Sequence, residues 1–243
     1  MGGYIKRQMN SIVDKMVLSG LRKTIDQFRL SSDPLISLVR DLLWVVIVVG
    51  GIALFLYLVC GTWPAVVTVE SESMVPHMNV GDLVLVVKEN RFGSLQTWEN
   101  GTQSGYQAFG DYGDVIIYKP NGGNSVHPII HRAMAWLNDD QVKLYYPNIS
   151  PHAGYITKGD HNSIEDQGAY YRDIGFIEPV KQEWVIGKAL IAVPLLGYPA
   201  LHLFEFAVII IVILIVHEIF FSKGEEEQVP RNQEHGKKKR KKR

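Results

Sequence analysis

Hydrophobic residues in this chain form two long runs that flank a region of short, alternating segments. The first run, LLWVVIVVGGIALFLYLVC (Leu42–Cys60), has nineteen residues and no charge, close to the roughly 20 residues that a helix needs to cross a bilayer. It begins about forty residues into the chain, and no small-x-small cleavage site is evident after it, unlike a cleavable signal peptide. The pattern therefore predicts a retained transmembrane signal anchor and argues against a buried core helix.

The second apolar run is less regular. LHLFEFAVIIIVILIVHEIFF (Leu201–Phe221) has an uninterrupted core of eleven residues, Phe206–Val216, between Glu205 and the pair His217-Glu218. It predicts a second transmembrane helix over residues 199–221, and the alternative is a β-branched strand in a soluble core. The basic tail that follows, GKKKRKKR, favours the transmembrane helix.

The formal net charge of zero hides an uneven distribution along the chain. Residues 1–40 carry seven basic and three acidic side chains, residues 61–198 carry nine and fifteen, and residues 223–243 carry nine and four. Flanks of membrane spans that are rich in Lys and Arg stay in the cytoplasm. We therefore expect both termini to be cytoplasmic and the acidic middle of the chain to face outward.

These patterns predict five segments. A cytoplasmic basic N-terminal segment (1–41) precedes the transmembrane anchor (42–60), and an external domain follows (61–198). A second transmembrane helix (199–221) then leads to a cytoplasmic basic tail (222–243). For the tail two further interpretations stay open, a solvated charge run or a patch attracted to anionic lipid or ribosomal RNA.

The external region has the pattern of a mostly antiparallel β domain. Its strongest segments are short, rich in β-branched residues and bounded by turn residues. No helix of ordinary length is evident, and residues 90–113, rich in Gly, Gln and Asn, are expected to form a loop or insertion. The predicted strands are Asp82–Val87, Asp114–Tyr118, Pro128–Trp136, Gln141–Tyr146 and Glu183–Val193.

Three kinds of side chain in this region could support acyl-transfer chemistry. The stretch SESMVPHMNVGD offers Ser73 in a turn stiffened by Pro76, although most turn serines only bond to local backbone. His131 lies in the strand pattern PIIHRAMAW, and histidine is the usual base near neutral pH. The segment YITKGDHNSIEDQGAY presents Asp160 and Asp166, either in an ordinary Asx-rich turn or as carboxylates that orient an imidazole.

Disulfide formation and metal ligation receive less support from the sequence. Cys60 is the only cysteine, so an internal disulfide is excluded. His127 and His131 are four residues apart, but Pro128 argues against the helix that zinc ligation at this spacing needs, and no H-E-x-x-H is present. Neither a metal nor a cofactor is expected.

The order of the motifs resembles type I signal peptidase, in the archaeal and endoplasmic-reticulum branch that has His where the bacterial enzymes have Lys. The pattern is S-x-S-M-x-P-x-x-x-x-G-D, then G-D-V-I, an I-H-R strand and K-G-D-x-N-x-x-x-D. The resemblance implies a β catalytic domain close to the bilayer. The matching blocks cover most of the external domain: Ser71–Val86, Tyr112–Pro120, Ile129–Ala133 and Ile156–Tyr170.

Carried over by position, the resemblance assigns a role to each candidate site residue. It makes Ser73 the nucleophile and His131 the general base, which then acts as the acid for the leaving amine. Asp166 aligns with the carboxylate that orients the histidine, and Asp160 aligns with a further carboxylate that supports the site. Ser71 matches the position whose hydroxyl joins the backbone N–H of Ser73 in the oxyanion hole.

The resemblance departs from the family at His161, which stands where the family usually has Asn. Its role stays open, including that of a competing base. The segment 90–113 is also longer than the family core needs.

The implied activity is that of a membrane-bound serine endopeptidase that removes signal peptides from exported preproteins after small residues. Ser73 lies thirteen residues beyond Cys60, at most about 45 Å of extended chain, which keeps the nucleophile near the bilayer. The alternatives are a non-enzymatic membrane protein with an external β binding domain and a membrane serine hydrolase with another substrate.

Partners and location follow from the same resemblance. The expected partners are signal-peptide-bearing preproteins, membrane lipid and the protein translocation machinery, and no nucleic acid is expected. The expected location is the cell membrane, or the endoplasmic reticulum membrane in a eukaryote, with the catalytic domain on the exterior or lumenal side.

Overall fold

The chain divides into two compact units, Met1–Ala65 and Val66–Arg243. The computed structural model describes residues 16, 18–20, 22–23, 26–31 and 33–221, with side chains described as far as residue 217. The predicted basic tail and most of the predicted basic N-terminal segment lie outside these residues.

The first unit contains a long apolar helix, α1 (Pro34–Cys60). Asp33 caps it by accepting hydrogen bonds from the backbone N–H groups of Leu35 (2.9 Å) and Ile36 (3.3 Å). Gly61 ends it at φ 72°, a left-handed conformation that glycine adopts at low cost. At 1.5 Å per residue α1 is about 40 Å long. Among the described residues it is the one helix with the length and composition to cross a bilayer.

The second unit is mostly β-sheet, as predicted. Its strands are β1 (Val66–Thr68), β2 (Leu83–Val87), β3 (Gln107–Ala108), β4 (Asp111–Tyr112), β5 (Val115–Tyr118), β6 (Ile129–Leu137), β7 (Gly154–Lys158), β8 (Tyr170–Tyr171), β9 (Gly175–Phe176) and β10 (Val185–Val193). Six of them form the main sheet and pair antiparallel throughout, in the order β1-β2-β10-β5-β6-β7. Two small hairpins pair β3 with β4 and β8 with β9.

Apolar residues are packed on both faces of the sheet. Strand β5 is buried at all four positions, because its alternate side chains enter two clusters. Val115 and Ile117 pack with residues of β2 and with Met74 and Met78, whereas Ile116 and Tyr118 pack in a second cluster. The centre of the sheet is therefore enclosed, and β6 lies directly beside it.

Four of the five predicted strands are confirmed as β2, β5, β6 and β10. The segment 90–113, expected to be a loop or insertion, is more ordered than its composition indicates. It contains a short helix, α2 (Trp98–Ser104), and the β3–β4 hairpin.

The predicted strand Gln141–Tyr146 is wrong, because the chain forms a short helix there, α3 (Asp139–Tyr145). Asn138 and Gln141 form a reciprocal capping box with two 2.9 Å hydrogen bonds, which satisfies N–H groups at the helix start. Acidic residues in the first turn and Lys143 in the last turn complement the helix dipole. These capping interactions override the alternating apolar pattern of the segment, in which Val142 is the only β-branched residue.

The second apolar run is helical, so its interpretation as a strand is wrong. A short helix, α4 (Tyr198–Leu201), precedes α5 (Leu203–Phe221). The apolar part of α5, Leu203–His217, is shorter than a bilayer crossing ordinarily needs. The second transmembrane span therefore stays a prediction.

Candidate active site

The predicted nucleophile lies in a turn that is anchored in the core. Ser73 is in a short 3₁₀ turn, Glu72–Met74, and the side chains of Met74 and Met78 are almost fully buried in the cluster beneath the sheet. Two buried side chains so close in sequence fix the backbone of the turn. Ser73 itself is half-buried, and its Oγ lies 3.1 Å from the Oγ of Ser71, which is exposed.

His131 reaches this serine from the third position of β6. It is 5% exposed, and its Nε2 lies 2.9 Å from Ser73 Oγ. Its Nδ1 lies 2.6 Å from Asp166 Oδ2. A neutral imidazole that donates from Nδ1 to the carboxylate has Nε2 free to accept the serine proton. The three residues thus form a continuous hydrogen-bonded chain from a hydroxyl to a buried carboxylate.

Asp166 is held by more groups than the sequence indicated. It opens a 3₁₀ turn, Asp166–Gly168, and is 4% exposed. Besides His131, the hydroxyls of Tyr118 (2.8 Å) and Thr157 (2.6 Å) contact its Oδ2. Burial, followed by the negative charge of Asp166, raises the pKa of Tyr118 well above its usual value, so this phenol stays a hydrogen-bond donor.

Asp160 belongs to a second network beside the first. Its two oxygens accept hydrogen bonds from Arg132 Nε (2.8 Å) and Nη2 (2.7 Å), a bidentate pair. His77 Nδ1 lies 2.7 Å from the same Oδ2. Arg132 is 1% exposed, so this carboxylate neutralises a buried charge. The structure therefore places Asp160 as the counter-ion of Arg132, next to the chain of Ser73, His131 and Asp166.

Arg132 also ties the preceding hairpin to the sheet. Its Nη1 donates to the carbonyls of Ala108 (2.9 Å), Tyr112 (3.1 Å) and Gly113 (2.9 Å). No sequence pattern predicted a role for Arg132 or His77. The available signal was an arginine in the middle of an apolar strand pattern, since a buried guanidinium requires a carboxylate partner nearby.

The loop between β7 and Asp166 passes directly over the candidate nucleophile. The backbone N–H of His161 donates to the Ser73 carbonyl at 2.9 Å. A Cβ on Gly159 would lie 2.6 Å from that carbonyl oxygen and 2.8 Å from His131 Nε2. The imidazole of His161 is exposed, so this residue contacts the serine through its backbone amide.

The remaining histidines of the external region lie in separate pairs. His127 Nδ1 is 3.1 Å from Glu70 Oε2, and His152 Nε2 is 3.0 Å from Glu178 Oε2. In the part of the chain that the structure describes, no group of three His, Cys, Asp or Glu side chains is placed to hold a metal ion.

No family model matches the chain, but curated relatives do. The chain is 26% identical over 140 residues to the signal peptidase complex catalytic subunit SEC11 of Pyricularia oryzae, a match that covers 58% of this chain and 64% of the relative. The protein of the same name in Schizosaccharomyces pombe is 28% identical over 145 residues, with 59% of this chain and 69% of the relative covered. That of Schizophyllum commune is 30% identical over 101 residues, with 39% and 49% covered.

These relatives confirm the resemblance to signal peptidases that the motifs predicted. The chain spans less than two thirds of the length of the Pyricularia oryzae relative, 64% of it.

Proposed function

We propose that the chain is a membrane-anchored serine endopeptidase that removes signal peptides from exported preproteins after small residues. One observation carries this proposal, the unbroken contact from Ser73 Oγ through the two nitrogens of His131 to Asp166 Oδ2, at 2.9 and 2.6 Å. The similarity to signal peptidase catalytic subunits supports the choice of substrate.

In the proposed mechanism the serine attacks the scissile carbonyl of the preprotein. His131 Nε2 takes the hydroxyl proton as Ser73 Oγ forms the new bond, and it later gives that proton to the leaving amine. Asp166 holds Nδ1–H, so that Nε2 faces the serine, and it stabilises the imidazolium that forms. Because both His131 and Asp166 are buried, these charge interactions are stronger than they would be in water.

The oxyanion that forms on the carbonyl needs hydrogen-bond donors on its own side. We assign this role to the backbone N–H of Ser73 and the hydroxyl of Ser71, whose Oγ lies 3.1 Å from Ser73 Oγ. The carbonyl oxygen of the substrate is one bond away from the carbon that Ser73 Oγ attacks. A hydroxyl 3.1 Å from Ser73 Oγ is therefore within hydrogen-bonding reach of that oxygen. Loss of one such donor in acyl-transfer enzymes lowers the rate by about 10²–10³-fold.

The membrane brings substrate and site together in this proposal. Helix α1 suits a bilayer crossing by length and composition, and α5 is proposed as a second span, with the β domain on the exterior or lumenal side and both termini cytoplasmic. The membrane is that of the endoplasmic reticulum in a eukaryote. Since the relatives are named as subunits of a complex, partner subunits are proposed here too, beside preprotein, lipid and the translocation machinery. An extended substrate would add to an edge of the sheet as a further strand.

A cleavage assay with the purified full chain tests the proposal. The wild type is expected to cut a preprotein after a small residue, as read from the new N-terminus, and Ser73→Ala is expected to abolish cutting while membrane insertion is retained. Ser125→Ala, at an exposed serine, is the control and should cut like the wild type. Retained cleavage by Ser73→Ala would remove Ser73 from its role, and a wild type without cleavage would favour a binding protein or a hydrolase with another substrate.

A further inference from the structure

We propose that Tyr118 and Thr157 are positioning residues, whose hydroxyls hold the Asp166 carboxylate in the orientation that sets the direction and basicity of His131. This inference rests on the proposed function, because it concerns how the same site reaches its rate.

Three neighbouring strands bring the groups together on one face of the sheet. Ile116 of β5 is paired with His131 of β6, and Ala133 of β6 is paired with Thr157 of β7. Residues two apart on a strand share a face, so Tyr118, His131 and Thr157 project on the same side. Asp166, from the loop that follows β7, lies where the three side chains converge.

All three groups contact a single oxygen of that carboxylate. Tyr118 Oη lies 2.8 Å, Thr157 Oγ1 2.6 Å and His131 Nδ1 2.6 Å from Asp166 Oδ2. Tyr118 and Thr157 are both 0% exposed, so water does not compete for their hydroxyl protons. A carboxylate rotates about its last bond unless its oxygens are held, and two fixed donors on Oδ2 remove that freedom.

The direction of the Thr157 hydroxyl is itself determined by a buried partner. Gln167 Oε1 accepts from the backbone N–H of Thr157 at 2.9 Å, and its Nε2 lies 3.4 Å from Thr157 Oγ1. An amide N–H that donates to Oγ1 leaves the hydroxyl proton to point elsewhere. Two acceptors are in reach of that proton, Asp166 Oδ2 at 2.6 Å and Tyr118 Oη at 3.2 Å, and the carboxylate oxygen is the nearer and the charged one.

The hydroxyls of Tyr118 and Thr157 also affect the equilibrium between the neutral and the protonated forms of His131. Donors to a carboxylate favour its charged form and share its negative charge. With one donor removed, more of that charge acts on the Nδ1–H of His131, which favours the imidazolium over the neutral base. The titratable groups that face Asp166 are His131 from β6, Tyr118 from β5 and Tyr171 from β8, whose pKa is raised by burial and then by Asp166.

A matched set of variants separates positioning from simple structural support. Tyr118→Phe and Thr157→Val remove one hydroxyl each with little change in shape, and Thr157→Ser restores a hydroxyl. Tyr106→Phe is the control, since its hydroxyl donates to another buried carboxylate, Asp114, at 2.8 Å. Each purified full-length variant is assayed for preprotein cleavage across a range of pH, and its thermal unfolding is measured in parallel.

We expect Tyr118→Phe and Thr157→Val each to lower kcat on the order of tenfold, as for loss of a hydrogen bond to a charged group, with KM unchanged. The acid limb of their kcat/KM profiles should move to higher pH. Thr157→Ser should recover most of kcat, and Tyr106→Phe should match the wild type in both rate and profile.

Three results would contradict these expectations. The inference is overturned alone if the wild type cleaves and the two variants keep its kcat and acid limb. It is also overturned if their rates fall only in proportion to the folded fraction, with no movement of the acid limb. A wild-type protein that does not cleave preprotein overturns the proposed function and this inference together.

Discussion

At the scale of single residues, Gly159 shows how closely the candidate site is packed. A Cβ at this position would meet the Ser73 carbonyl at 2.6 Å and His131 Nε2 at 2.8 Å. The first of these contacts is with backbone, which cannot rotate away as a flexible side chain can. A side chain here would therefore force the Ser73 backbone, the His131 imidazole or the loop itself to shift.

We predict that Gly159→Ala lowers kcat/KM by about 10²-fold, as expected when reacting groups are misplaced by about 1 Å. Gly168→Ala, in the same loop, is the matched control, because nothing lies within 4 Å of its added Cβ. Preprotein cleavage by the two variants measures the difference. Equal rates would mean that the loop yields without disturbing Ser73.

We predict that neutralising Asp160 mainly lowers stability, whereas neutralising Asp166 mainly lowers the rate of cleavage. Asp160→Asn leaves the buried charge of Arg132 without its counter-ion and should lower the free energy of unfolding by about 3–5 kcal/mol. Asp166→Asn still accepts from Tyr118 and Thr157, so we expect little loss of stability. Because its amide oxygen then takes the place of Oδ2, it also faces His131 Nδ1, but the neutral amide cannot stabilise the imidazolium, and we expect a loss of about 10⁴-fold in kcat.

Denaturant unfolding and single-turnover cleavage, measured on both variants, decide between these roles. The reverse ranking, with Asp160→Asn folded but inactive and Asp166→Asn active but unstable, would exchange the two assignments.

At the scale of elements, helix α2 is held by close backbone packing as well as by its caps. Thr97 caps it by accepting from Asn100 N at 3.2 Å. Gly101 in its interior faces the hairpin, where an added Cβ would lie 2.5 Å from Gly113 N and 2.8 Å from the Tyr106 carbonyl. The glycine therefore permits the segment 90–113 to pack against itself.

Helix propensity and packing make opposite predictions for Gly101→Ala. Propensity alone favours alanine by about 1 kcal/mol, but the backbone contacts cannot move aside, and overpacking typically costs about 1–3 kcal/mol. We expect a lower melting temperature for Gly101→Ala. Gln103→Ala, at an exposed position of the same helix, should change stability by less than about 0.5 kcal/mol. A more stable Gly101→Ala would show that the hairpin is free to shift.

At the scale of the whole molecule, several tyrosines of the second unit are expected to make its stability fall at alkaline pH. Burial is the main cause that raises the pKa of Tyr106, Tyr118, Tyr155 and Tyr171, that of Tyr106 from 10.0 to about 12. A raised pKa means that the folded state favours the neutral phenol. Its contribution to stability is complete below the unfolded pKa and is lost as pH rises through the folded pKa.

We therefore predict a plateau of thermal stability up to about pH 10 and a decline between pH 10 and 12. Thermal unfolding in detergent, followed by circular dichroism, measures the decline. Tyr106→Phe should decline less steeply over this interval because it lacks one of the groups. An unchanged slope in that variant would remove Tyr106 from the explanation.

Much of the architecture is already determined by local sequence patterns. The uncharged run in α1 and the β-branched segments of β2, β5, β6 and β10 were identified correctly, because hydrophobic length and alternation reflect local burial. The stretch Gln141–Tyr146 was not, since its helix depends on a capping box at Asn138 that outweighs the alternation of its apolar residues. The resemblance carried by the motifs brought Ser73, His131, Asp166 and Asp160 forward as candidates.

Only the tertiary structure decided what these candidates contact. It joins Ser73, His131 and Asp166 in one chain, pairs Asp160 with Arg132, and adds the hydroxyls of Tyr118 and Thr157 to the buried carboxylate. The physical reason is strand register together with two turns: pairing across β5, β6 and β7 brings Tyr118, His131 and Thr157 to one point, and the turns that hold Ser73 and Asp166 meet them there. Periodicity along a strand predicts which residues share a face, but not which residue of another strand lies opposite.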